Sequence, residues 1–85
     1  MKTNTENKRG FAISFRSNDQ TINYPMICNV KDTISRLEEE LYNEFPQYKD
    51  YNTYLTCNGI ILKRFKTIGE SNIKKGDTIL VNIYE

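Results

Sequence analysis

Histidine and tryptophan are both absent from the 85 residues. Without histidine the chain lacks the commonest general base and the usual partner of a nucleophilic Cys or Ser. His-containing zinc sites are excluded for the same reason, and two cysteines, Cys28 and Cys57, are too few for an all-Cys site. Nor are they enough for the dense disulfide framework of a small secreted domain. The four glycines are scattered singly, so no phosphate-cradling loop is present. No apolar run approaches the roughly 18 residues that a membrane span needs. An excess of one charge is missing too, with 12 Lys+Arg against 11 Asp+Glu. Partners that select a basic surface, nucleic acid and membrane, are therefore not expected. Ser, Tyr and Lys are plentiful but form no catalytic constellation. No metal, cofactor or enzymatic activity is expected.

Residues 1–10 contain one apolar side chain, Met1, and carry mixed charge with no apolar core of a secretory signal. They are expected to form a disordered tail, leaving one domain over residues 11–85 in a cytoplasmic or nuclear protein. From Phe11 the pattern changes. Phe11, Ile13 and Phe15 alternate with polar or small residues, the period of a half-buried strand. Ser17 to Gln20 are turn formers, and alternation resumes through Ile22, Tyr24, Met26 and Cys28. Pro25 lacks a backbone donor, which assigns that second strand to a sheet edge.

Asp32 or Thr33 begins a helix whose apolar stripe is Ile34, Leu37, Leu41 and Phe45, and Pro46 ends it. Glu38, Glu39 and Glu40 point about 100° apart in turn, so they read as a solvated face and not a metal or acid–base cluster. Gln47–Asn52 reads as a polar loop. A strand over Thr53–Cys57 meets Asn58-Gly59, the strongest turn signal in the chain, and returns over Ile60–Leu62. A compact connector, Thr67–Ile73, carries two buried-looking isoleucines. After a turn at Lys75-Gly76-Asp77 the chain closes with a strand over Thr78–Tyr84, alternating Ile79, Val81 and Ile83. The helix must cover one face of the sheet, because its stripe has nowhere else to go. The expected class is α+β, in the order β-β-α-β-β-connector-β.

That order and several local motifs resemble ubiquitin and ubiquitin-like domains. The connector T-I-G-E-S-N-I at Thr67–Ile73 is similar to the family's T-L-S-D-Y-N-I, and K-x-G-D-x-I-L follows at Lys74–Leu80. D-T-I at Asp32–Ile34, with Leu37 and Leu41 after it, matches the family's helix start and core spacing, and Gly59 falls after the third strand. The resemblance runs from Phe11 to Tyr84, with one-residue insertions in the first hairpin turn and after the helix. It implies a β-grasp roll with sheet order 2-1-5-3-4. The core implied is Ile13, Phe15, Ile34, Leu37, Leu41, Leu55, Leu62, Ile68, Ile73, Ile79, Val81 and Ile83. It also sets the two cysteines on strands too far apart to bridge, at about 4.8 Å per strand. Both are expected to be buried small hydrophobes.

The family meets most of its receptors through an apolar patch on the outer face of the sheet, centred on an Ile of the third strand and a Val of the fifth. The aligned positions here are Thr56 and Asn82. The patch Leu falls among Ser17, Asn18 and Asp19, and the patch His position is Leu80. The same face carries Tyr54, Leu80 and Tyr84, with Ile60 at its border. The candidate protein-binding residues are therefore Tyr54, Thr56, Ile60, Leu80, Asn82 and Tyr84. Conjugated modifiers end in Gly-Gly, whereas this chain stops at Glu85 with no glycine beyond Gly76. The function expected is a non-catalytic, non-conjugated, monomeric interaction domain cut from a larger protein. The alternative is a diverged ubiquitin- or SUMO-like modifier whose tail is absent. Domains of the Ras-binding or PB1 kind need a charged cluster near strands one and two, where Arg16 stands alone.

Overall fold

The computed structural model describes residues 10–84; the expected tail over residues 1–9, and Glu85, lie outside them. Strand β1 (Phe11–Ser17) turns back into β2 (Asn23–Cys28), helix α1 (Ile34–Glu44) follows, and a 3-10 helix α2 (Pro46–Asp50) leads into β3 (Thr53–Cys57). Strands β4 (Ile60–Ile61) and β5 (Thr78–Ile83) complete a five-stranded mixed sheet in the order β2-β1-β5-β3-β4. Only the β1–β5 pair is parallel. This is the α+β roll that the order of elements implied. Pro25 sits on β2, which pairs with β1 alone, so its missing donor faces no neighbour.

Local chemistry sets each boundary. The first hairpin is closed by Asp19, whose carboxylate accepts from Ser17 Oγ at 2.6 Å, Thr21 Oγ1 at 2.9 Å and Thr21 N at 3.1 Å. β2 starts at Asn23, yet Ile22 before it is buried. Thr33, not Asp32, caps α1, accepting from Arg36 N at 3.3 Å, while Asp32 accepts from Asn29 N at 2.9 Å. Asn58 and Gly59 have φ of 54° and 82°, both positive as a type I′ hairpin turn requires. That turn sets the register Cys57↔Ile60 and Thr56↔Ile61.

The core holds Ile13, Phe15, Ile34, Leu37, Leu41, Leu55, Ile68, Ile79 and Val81, all at most 2% exposed, with Leu62 and Ile73 nearly as deep. Three expectations are corrected. Ile83 keeps the inward phase but is 44% exposed, because it lies past the cover of α1 and walls a shallow hollow with Tyr48 and Val81. The expected loop after α1 is a 3-10 turn: Pro46, which needs no donor at a helix start, opens it, and it carries Tyr48 into the core at 7% exposure. Glu38 is not on a solvated face but is buried, its carboxylate 2.7 Å from Arg64 Nε.

Candidate interaction face

Strands β5 and β3 occupy the middle of the sheet's outer face, opposite the helix. In an antiparallel pair, residues directly across from one another leave the sheet on the same side. Inward Leu55, Cys57, Ile79 and Val81 therefore put Tyr54, Thr56, Leu80 and Asn82 outward, with Tyr54 across from Asn82 and Thr56 across from Leu80. Parallel pairing adds Arg16 beside Leu80. The Tyr54 and Tyr84 rings meet with centroids 4.6 Å apart and planes tilted by 39°. Tyr84 N donates to Asn52 O at 2.8 Å, which extends the β3–β5 ladder by one rung and holds the second ring in place.

Asn82 is the residue that sequence reasoning placed at the surface and the structure places below it. It is 8% exposed. Its Oδ1 accepts from Asn18 Nδ2 at 2.8 Å, and its Nδ2 donates to Thr56 Oγ1 at 3.2 Å, with Tyr54 O and Leu80 O each at 3.4 Å. The Asn82 amide is thus satisfied from within the protein. Burying such a group without these bonds would cost about 1–3 kcal/mol. Ile60 also departs from its expected place. It lies across from Cys57, so its side chain leaves the edge strand on the helix side. Ile61, across from Thr56 and 60% exposed, is the isoleucine of the outer face. Asn58-Gly59 carried the signal that finds it, since a two-residue turn sets the register of the strands it joins.

The outer face therefore reads, from β1 across β5 and β3 to β4, as Arg16, Leu80, Thr56 and Ile61, with the tyrosine pair one step along the strands. Leu80, Ile61 and Tyr54 flank the half-buried Thr56, and Tyr84 packs on the far side of Tyr54. The arrangement offers contact area and hydrogen-bond tips, and no group poised for proton transfer or nucleophilic attack.

Cys28 and Cys57 are both buried and free. Burial pushes the Cys28 thiol up to about 11, with Asp32 adding to the shift. Cys57 is raised first by burial and then by Asp77, whose carboxylate lies 3.9 Å from its Sγ. Two strands, β1 and β5, separate them. Both shifts favour the neutral thiol, the opposite of what activates a nucleophile. Among the described residues no group of three or more His, Cys, Asp or Glu side chains is placed to hold a metal ion. No helix among them is long and apolar enough to cross a membrane.

No family model matches the chain, and no curated protein matches it. Solved structures do. One is a protein designed de novo on the basis of ubiquitin, which superposes with a TM-score of 0.77 at 22% identity, over 91% of this chain and 92% of that one. At that identity the likeness speaks for the fold. Strand order, the one α-helix among the described residues and this superposition agree: the chain has the ubiquitin-like β-grasp fold.

Proposed function

We propose that this chain is a non-catalytic protein-interaction domain that docks a protein partner on the outer face of its sheet. The observation that carries the reading is the Tyr54–Tyr84 ring pair set beside Leu80 and Ile61, around an Asn82 whose hydrogen bonds are spent internally. Interface cores are built from aromatic and aliphatic anchors that can be desolvated cheaply, with polar groups already satisfied. Tyrosine suits this role because it offers a large rigid surface with a polar tip. The buried thiols, shifted toward their neutral form, and the absence of histidine support a domain that binds and does not catalyse. A cytoplasmic or nuclear setting fits two free cysteines in so small a domain.

Site-specific photo-crosslinking in cells tests this directly. A crosslinker placed at Leu80 should trap one discrete protein, and a crosslinker at Glu39, on the helix, should not. Tyr54→Ala combined with the Leu80 crosslinker should abolish the adduct while the protein stays folded. Equal trapping from both positions, or an adduct indifferent to Tyr54→Ala, overturns the reading.

A further inference from the structure

The turn that follows β4 presents an aromatic side chain that the core does not use. Lys66 N donates to Lys63 O at 3.1 Å, closing a β-turn with Phe65 at its third position, 75% exposed. An exposed Phe on a loose loop would mean little. This turn is clamped to the helix at three points. Ser35 N donates to Arg64 O at 3.1 Å and Ile34 N to Lys66 O at 2.9 Å, so the turn's carbonyls satisfy two of the donors that a helix start leaves open. Arg64 then forms its ion pair with the buried Glu38. Phe65 is therefore held out on a rigid support.

Beside the turn lies a shallow depression of about 200 Å³ between β4 and the connector, walled by Ile60 and Ile61 on one side and Ser71 and Asn72 on the other. Ile60 is 68% exposed. Lys63 and Lys66 stand on its rim, and neither forms an ion pair among the described residues. The exposed rim carboxylate, Glu70, accepts from Thr67 N at 2.9 Å and lies close enough to Lys66 for that cation to help lower its pKa, leaving the rim with one cation in excess. Apolar surface, a concavity sized for a side chain and a net positive rim thus converge on one edge of the domain.

We propose that this edge is a second docking site, adjoining the outer face at Ile61, which takes an extended acidic peptide bearing an aliphatic residue. The aliphatic side chain fills the depression against Ile60, flanking carboxylates meet Lys63 and Lys66, and Phe65 packs over the peptide as the anchor. An anionic membrane fits less well. Two lysines supply about 1 kcal/mol each near a charged bilayer, too little with one Phe for stable anchoring, and a bilayer has no use for a concave pocket. A peptide uses all three features, since desolvated aromatic anchors ringed by complementary charge carry most interface energy.

The test is an NMR and fluorescence titration with a labelled peptide of sequence Gly-Asp-Glu-Leu-Asp-Glu-Ile-Asp-Gly. Two control peptides replace its acids by Asn and Gln, or its Leu and Ile by Ser. Saturable amide shifts at Ile60, Lys63, Lys66 and Ser71 are expected with the first peptide alone. Phe65→Ser, and Lys63→Glu with Lys66→Glu, should each weaken binding at least about tenfold. All three positions are exposed, so the fold should survive, and dispersed amide spectra check that. Tyr54→Ala and Leu80→Arg should leave this binding unchanged, so failure here and failure of the outer-face reading are told apart. The proposal is overturned by absent binding, by equal binding of either control peptide, or by shifts centred on Tyr54 and Leu80. Phe65-dependent sedimentation with phosphatidylserine vesicles in the absence of peptide binding assigns the edge to a membrane instead. Self-association that Phe65→Ser abolishes assigns it to a second copy of the chain; either result overturns the peptide assignment.

Discussion

By the resemblance to ubiquitin, Thr56 and Asn82 align with the Ile and Val of its receptor patch, so replacing both is expected to convert the surface. The double variant Thr56→Ile with Asn82→Val is expected to remain folded and to gain binding to a helical ubiquitin-interacting peptide that the parent does not bind. Stability comes first. Losing the Asn82 side chain removes one short bond to Asn18, one at 3.2 Å to Thr56 and two long ones at 3.4 Å. At about 1 kcal/mol net for each good bond, the loss is about 2 kcal/mol. Asn18 is exposed and can turn to water, which keeps it from becoming an orphan. A Val uncovered by Asn18 regains only part of the free energy of full burial, though both new residues are β-branched and suit a strand. The net cost is at most about 2 kcal/mol, which the fold should survive. Affinity is different. A good interface anchor is worth about 2 kcal/mol or more, so two absent anchors cost about 4 kcal/mol, nearly a thousandfold. Ubiquitin-type receptors bind weakly to begin with, which puts the parent out of measurable range. NMR titration of both proteins with the same peptide is the assay. Saturable shifts centred on Thr56 and Asn82 in the parent would refute the argument, and so would a folded double variant that gains nothing.

Two further outcomes concern the interior. Leu37 is fully buried against the sheet, and Leu37→Ala should cost about 2–5 kcal/mol by leaving a cavity, read as a large fall in the denaturation midpoint; a midpoint shift close to zero would place the helix face elsewhere. Cys28 has its thiol raised from the ordinary 9.0 to about 11, so the folded state favours the neutral form. Its contribution to stability is complete below the ordinary value and declines as pH rises from there toward the folded one. Iodoacetamide should therefore label neither cysteine quickly in the native protein near about pH 8, and stability should fall on raising the pH through that window; rapid native labelling would show an accessible thiolate.

Much of this protein was legible in its residues because local rules set it. Period-two alternation marked β1 and β5, the Ile34–Leu37–Leu41 spacing marked the helix, and Asn58-Gly59 marked the tight turn between β3 and β4. Together with the connector motif they were enough for the fold and for most of the core. What the one-dimensional pattern could not hold is which inward position is actually covered. Ile83 and Val81 share a phase, yet one is exposed and the other buried, because the cover of α1 and α2 runs out between them. Asn82 stands on the outer phase but is buried, since Asn18 and Thr56 reach it from other strands. Glu38 read as solvated until Arg64, from a turn distant in the chain, closed over it. Ile60 and Ile61 exchanged faces through register alone. Periodicity is a property of one element, whereas burial, pairing and exposure belong to two or more elements at once, and those were decided only when the strands and helix came together.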